Sequence, residues 1–151
     1  MLLFAFSLSA CGFRLAGSSS SQASFESLRL VTSHFSKQQR QLLENQLERA
    51  GIRVIDNGEL QVLAVRFKPI PDRLLATSAS GKSLQQMTRQ LSFSLKSSSG
   101  EILLESKMLR RQRDFELDSN QLLSSVAEQA SVAENLEADL YDQLIQSLNR
   151  I

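Results

Sequence analysis

A strict alternation of apolar and polar side chains in residues 91–96 restricts the possible folds more than any other feature of the sequence. Leu91, Phe93 and Leu95 are apolar, whereas positions 92, 94 and 96 carry serine, serine and lysine. This alternation is typical of a strand with one buried and one solvated face. The loop at residues 97–100, three serines and a glycine, follows at once. Residues 84–96 and 101–115 are therefore predicted to pair as an antiparallel hairpin.

Further strands are predicted in residues 27–32, 52–55, 59–68 and 73–77, which are rich in aliphatic side chains and are separated by turn residues. Pro69 and Pro71 end the third of these segments, because proline cannot donate to a strand ladder. Residues 60–67 are apolar at both odd and even positions. Both faces of that strand are therefore expected to be covered.

Two helices are predicted. Ser36 and Gln39 have the spacing of a capping box, and Gly51 stands where a helix would stop, so a helix is expected over residues 37–50. Asp118 is expected to cap a long final helix. Its apolar residues recur at steps of three or four: Leu122, Val126, Ala130, Ala133, Leu136, Leu140, Leu144 and Leu148.

These elements predict an α+β fold, in which an antiparallel sheet of about four strands is packed by two helices, one of them long and C-terminal. A mass of 16.9 kDa fits a single domain, placed at residues 25–151.

The start of the chain predicts a lipid anchor. Residues 1–10 are uncharged and mostly apolar, as in the remnant of a signal peptide, and Leu8-Ser9-Ala10-Cys11 resembles a bacterial lipobox. Cys11 is then the lipid-attachment residue, and residues 11–24 form a lipidated N-terminus with a serine-rich tether. Gly12 after the cysteine favours the outer membrane. The alternative is a chance run of small residues around a buried cysteine.

The charges are balanced overall but unevenly placed. The net charge of +1 excludes the strong positive field of a typical nucleic-acid binder, so no nucleic-acid partner is expected. Residues 66–113 hold ten basic and three acidic side chains, whereas residues 114–151 hold one basic and eight acidic. The predicted sheet is therefore basic and the final helix acidic. This uneven placement has either a functional meaning or a simpler one, in which the charges only solvate the surface or attract the sheet and the helix to each other.

Nothing in the sequence predicts catalysis. His34, the only histidine, precedes a helix and is more typical of a surface or capping residue than of a catalytic base. The serines lack a nucleophile-elbow motif, and Ser80-Gly81-Lys82 lacks the first glycine of a phosphate-binding loop. We expect no enzyme activity, no cofactor and no metal site.

The order of these parts resembles the lipopolysaccharide-assembly lipoprotein (LptE) family. The resemblance is carried by four segments: Cys11-Gly12-Phe13-Arg14-Leu15, the helix at residues 41–47 running into Gly51-Ile52, the loop at residues 78–82, and the tail from Arg113-Asp114-Phe115 to residues 120–123. It implies an outer-membrane, lipid-anchored protein without a catalytic site. Such a protein plugs the lumen of the β-barrel that delivers lipopolysaccharide, assists assembly of that barrel and binds lipopolysaccharide.

Clustered cations are natural partners of lipopolysaccharide phosphates. The predicted contacts, chosen because they lie near the ends of adjacent segments, are Arg73, Lys82, Arg110, Arg111 and Arg113. Side chains alternate along a strand, so Arg111 is expected to share a face with Arg113, and Arg110 to face the other way. The alternative is that these charges only solvate a sheet edge. The alternative function is a free-standing lipid-binding lipoprotein tethered to the outer membrane, which would need a roomy apolar pocket.

Overall fold

The computed structural model describes residues 26–151. The predicted signal remnant, Cys11 and the serine-rich tether lie outside the described residues. The elements follow in the order β1 (Ser27–Ser33), α1 (Lys37–Arg49), β2 (Arg53–Val54), β3 (Val62–Lys68), β4 (Arg73–Thr77), β5 (Lys82–Lys96), β6 (Ile102–Asp118) and α2 (Leu122–Leu148).

The α+β class is confirmed, but the predicted sheet is wrong in size and in strand direction. The sheet has six strands in the order β2-β1-β3-β5-β4, and β6 pairs with the other side of β5. β1 runs parallel to both β2 and β3, whereas the remaining pairs are antiparallel. The parallel pairs arise because α1 lies between β1 and its partners in the chain, and a helical crossover returns the chain in the same direction.

The hairpin predicted from the alternation is present. β5 and β6 pair along nearly their whole length, from Lys82 opposite Asp118 to Lys96 opposite Ile102. The other side of β5 is shared, since β3 pairs with its second half and β4 with its first half. Pro69 and Pro71 fall in the short break between β3 and β4, as the sequence predicts.

Both helices pack on one face of the sheet, here called the helix-side face. Leu63, Val65 and Phe67 of β3 are buried there. The opposite face, here called the outer face, has no helix over it among the described residues, so neither helix supplies the cover expected on this side of β3. The outer side chains Val62 and Ala64 of β3 are only partly buried.

The buried apolar side chains form two clusters. The large cluster joins β1, α1, β3, the second half of β5 and the second half of α2. The small cluster lies between the other ends of β5, β6 and α2, and consists of Met87, Phe115, Val132 and Leu136.

The start and end of α1 follow the sequence prediction. The Ser36 hydroxyl accepts a hydrogen bond from the Gln39 backbone N–H at 3.1 Å, and the Gln39 side chain accepts one from the Ser36 backbone N–H at 2.9 Å. Gly51 has φ +84°, a left-handed conformation that glycine adopts without strain, and it ends the helix.

The predicted cap of α2 is wrong. Asp118 is the last residue of β6, and its carboxylate accepts a hydrogen bond from the Asn120 backbone N–H at 2.8 Å. The helix begins at Leu122, and Gln121 before it makes no side-chain capping bond. Leu136, Leu140, Leu144 and Leu148 are buried as predicted, but Leu122 and Val126 are 68% and 63% exposed.

Candidate functional site

The outer face of the sheet is the broadest surface that the two helices leave open. A groove of about 460 Å³ crosses it over β1, β3, β5 and β6. Its lining combines four serines and one arginine with four apolar residues: Val31, Ser33, Ala64, Val65, Arg66, Ser92, Phe93, Ser94 and Ser106. The lining suits a polar or amphipathic partner better than a purely apolar one.

A row of basic side chains borders this groove. Lys68 lies opposite Gln90, and Gln90 lies opposite Arg110, so the two cations flank the glutamine on one line across three strands. Strand spacing sets their Cα atoms about 10 Å apart. Arg66, two residues before Lys68 on β3, shares the face. Among residues 26–151, no salt bridge involves Arg66, Lys68 or Arg110.

Such a row can bind anionic oxygens, because long cationic side chains from two strands can converge on one phosphate. Arg66 and Lys68 are not among the contacts predicted from the sequence, because their strand is apolar at both odd and even positions up to residue 65. Their even numbering, shared with Val62 and Ala64, is the signal that places them on the outer face.

The structure separates the five predicted lipopolysaccharide contacts. The register puts Arg111 opposite Arg89 and Arg113 opposite Met87, both on the helix-side face, whereas Arg110 is on the outer face. The predicted alternation of these three side chains is therefore confirmed. All three, however, lie within β6 rather than at its end.

Arg73 and Lys82 also belong to the outer face. Arg73 lies opposite Gln86, and Lys82 lies opposite Asp118 at the first residue of β5. Lys82 is bound to Glu116 with an Nζ–Oε1 distance of 2.8 Å, and this hydrogen bond raises the pKa of the ammonium. Lys82 and Arg111 are on opposite faces and about 24 Å apart along the hairpin, so they cannot contact one small ligand.

A charged network lies under the helices on the other side of the sheet. The Arg89 guanidinium donates to the Asp72 carboxylate at 3.4 Å, and its Nε is 3.8 Å from Oε1 of Glu137. Gln39 of α1 also donates to Glu137, at 2.7 Å, and Gln129 of α2 donates to Asp72, at 3.0 Å. The network ties both helices to the sheet between the two apolar clusters.

Burial raises the pKa of Glu137, and the negative charge of Glu134 adds to this effect. The hydrogen bond from Gln39 and the charge of Arg89 oppose it without reversing it. Burial also raises the pKa of Tyr141, one helical turn further on. The Glu137 carboxylate has a structural role here, since it links Gln39 of α1 to Arg89 of β5 beneath the helices.

The described part of the chain holds no grouping of side chains suited to a metal ion. His34 lies between β1 and α1, as predicted, with φ 62°. Within residues 26–151, no three His, Cys, Asp or Glu side chains are grouped closely enough to hold a metal ion. Over the same residues, neither helix is both long enough and apolar enough to cross a bilayer.

No family model and no curated protein matches the chain by sequence. Its fold, however, is similar to those of solved bacterial lipoproteins. An uncharacterized lipoprotein B from Nitrosomonas europaea superimposes with a TM-score of 0.69 at 19% identity, over 91% of this chain and 90% of that chain.

Two further lipoprotein structures have a similar fold. The rare lipoprotein B from Shewanella oneidensis has a TM-score of 0.66 at 17% identity, over 81% of this chain and 92% of that chain. A minor lipoprotein from Acinetobacter baumannii has a TM-score of 0.66 at 15% identity, over 83% and 94%. At these identities the likeness establishes the fold, which is one that bacterial lipoproteins adopt.

Proposed function

We propose that this chain is an outer-membrane lipoprotein, anchored through Cys11, whose folded part plugs the lumen of the β-barrel that delivers lipopolysaccharide. In this role it assists assembly of the barrel and binds lipopolysaccharide on its way to the outer leaflet. The partners are then the barrel, lipopolysaccharide and the membrane that holds the lipid anchor.

The observation that carries the proposal is the open outer face with its row of unpaired cations. A barrel lumen is polar, so a plug needs a surface of small polar side chains such as Ser33, Ser92 and Ser94. Lipopolysaccharide carries phosphates, and Arg66, Lys68 and Arg110 offer cations with no carboxylate partner among the described residues. The likeness to three lipoprotein folds supports the same class of protein.

Purification of the tagged chain from membranes in mild detergent tests the plug. We expect a stoichiometric β-barrel partner in the eluate. A monodisperse monomer that carries a bound lipid and no barrel would instead support a free-standing lipid-binding lipoprotein.

Replacing Cys11 with serine tests the anchor, and incorporation of labelled palmitate into that variant would contradict it.

A charge-reversal pair on the outer face tests the lipopolysaccharide site. Arg66→Glu with Arg110→Glu should weaken lipopolysaccharide binding by about tenfold or more at low salt, and by less at high salt, where the attraction is screened. The control is Lys37→Glu with Arg49→Glu, which makes the same change of charge on α1. If both pairs weaken binding equally, the site is not on the outer face.

A further inference from the structure

The outward edge of β6 is an open strand edge of unusual length. β6 spans 17 residues and pairs only with β5, so its other edge has no strand partner in the described structure. From Lys82 opposite Asp118 to Phe93 opposite Lys107 the register is unbroken. Strand edges of this length are usually shortened, bulged or covered, because they offer a template for another strand.

Two backbone hydrogen bonds at the ends of these strands decide which backbone groups of β6 point outward. The Ser119 N–H donates to the Gly81 carbonyl at 3.1 Å, across the β5–β6 pair, and the Ser78 N–H donates to the Lys82 carbonyl at 2.8 Å, across the β4–β5 pair. Along a strand, successive residues direct their backbone N–H and C=O groups to opposite sides. Because Ser119 bonds to β5, the odd-numbered residues in the regular part of β6 bond to β5 as well. The even-numbered residues therefore direct their N–H and C=O groups away from the sheet.

One of these outward positions already has a substitute partner. The Ser125 hydroxyl of α2 accepts from the Asp118 backbone N–H at 3.0 Å and lies 3.2 Å from the Asp118 carbonyl, to which it donates. A side chain thus takes the place of a neighbouring strand at the end of β6. The outward groups still without such a partner in the described residues belong to Met108, Arg110, Gln112, Asp114 and Glu116.

The side chains along this edge indicate the charge of a partner. Lys107, Arg110, Arg111 and Arg113 fall within seven residues, and no salt bridge in residues 26–151 involves any of them. A second copy of the chain fits poorly. Antiparallel pairing about a two-fold axis at Arg110 or at Arg111 would set two guanidinium groups directly opposite each other, which is destabilising.

We propose that the β6 edge binds an extended, acidic segment of a protein partner by strand addition. The partner's backbone pairs with the outward groups of residues 108–116, and its carboxylates lie opposite Lys107, Arg111 and Arg113 on the helix-side face. Backbone pairing supplies affinity, and the charges select an acidic strand over a second copy. The inference does not depend on the barrel or on lipopolysaccharide.

Binding of a fluorescent peptide to the full chain in mild detergent tests the proposal. The probe is an extended peptide of alternating glutamate and threonine. A second peptide of the same sequence carries N-methyl groups on alternate residues of its bonding edge, which removes the donors but not the charge. We expect the methylated peptide to bind about tenfold more weakly, because each lost bond leaves a strand acceptor unpaired. Equal binding of the two peptides would overturn strand addition in favour of simple charge attraction.

Two pairs of variants locate the site on the chain. Gln112→Pro removes one outward N–H without touching a bond to β5, and Gln112→Ala keeps that N–H. We expect the proline variant to bind about tenfold more weakly than the alanine variant, at an unchanged melting temperature. Arg111→Glu with Arg113→Glu should weaken binding more than Lys37→Glu with Arg49→Glu, which makes the same change of charge on α1.

Equal binding by both members of either pair would place the peptide elsewhere and overturn the proposal. A dimer of the chain alone that Gln112→Pro dissociates would assign the edge to a second copy, and would also overturn it. The variant with Arg66→Glu and Arg110→Glu tests lipopolysaccharide binding in a separate experiment, so either proposal can fail without the other.

Discussion

The carboxylate of Glu137 is the buried charge whose environment the structure defines best. Its residue is 8% exposed, and burial raises its pKa, although Gln39 donates to it at 2.7 Å and Arg89 lies 3.8 Å away. The negative charge of Glu134 also raises the pKa of Glu137, and the charge of Glu137 adds to the effect of burial in raising the pKa of Tyr141. The network therefore holds a carboxylate in place at some cost to stability in its charged form.

This cost predicts a pH dependence. A carboxyl group whose pKa is higher in the folded than in the unfolded chain holds more protons when folded, so stability falls as pH rises from about 4.5, the ordinary value, through the folded pKa. Glu137→Gln removes this contribution. The free energy of unfolding of this variant, relative to that of the wild type, should therefore increase as pH rises from about 4.5 to about 7.

Denaturant unfolding across this pH range measures the difference. Glu128→Gln, a change at an exposed position of the same helix, is the control and should follow the wild-type pH profile. A Glu137→Gln curve parallel to the wild type over the whole range would show that the buried carboxyl titrates normally.

The long helix α2 shows where periodicity predicts burial and where it does not. Near its end the apolar stripe and the buried face coincide, and Leu140 and Leu144 are fully buried. Near its start the buried positions are polar. Ser125 is buried because its hydroxyl bonds the backbone of Asp118, and Gln129 turns toward the sheet because it donates to Asp72. Hydrophobic spacing cannot anticipate partners that belong to other elements.

One leucine-to-alanine and one valine-to-alanine change test the difference in burial between the end and the start of α2. Leu140→Ala should cost about 2–5 kcal/mol of unfolding free energy, because it leaves a cavity in the large cluster. Val126→Ala, at a position that is 63% exposed, should cost less than about 0.5 kcal/mol. Denaturant unfolding at neutral pH measures both. Similar losses for the two variants would mean that the start of α2 is packed in solution.

The strands show a similar limit on sequence prediction. Alternation predicted the β5–β6 hairpin and the common face of Arg111 and Arg113, because both depend only on neighbouring residues. The parallel pairing of β1 with β3 depends on the path of α1 between them, which the strand pattern does not contain. The separation of Lys82 from Arg111 depends on hairpin register over the whole length of β5, and no local signal gives that distance.

At the scale of the fold formed by residues 26–151, the apolar core is divided unequally. The large cluster contains 16 buried residues and the small cluster four, so burial stabilises the two ends of the sheet to different extents. The Asp72–Arg89–Glu137 network lies at the boundary between them. Local opening is expected first where few buried contacts oppose it, at the end that holds β4 and the start of α2.

Hydrogen exchange tests whether the two ends of the sheet differ in local stability. Both ends can be compared on the single strand β5, at backbone N–H groups that lie beside the large or the small cluster. The backbone N–H groups of Ser92 and Ser94 face β3, beside the large cluster, whereas those of Leu84 and Gln86 face β4, beside the small one. Bonding direction alternates, so all four N–H groups point to the same side of β5. We expect Ser92 and Ser94 to exchange only through global unfolding, and Leu84 and Gln86 to exchange faster through local opening. Equal protection at the four positions would show instead that the network couples both clusters into one cooperative unit.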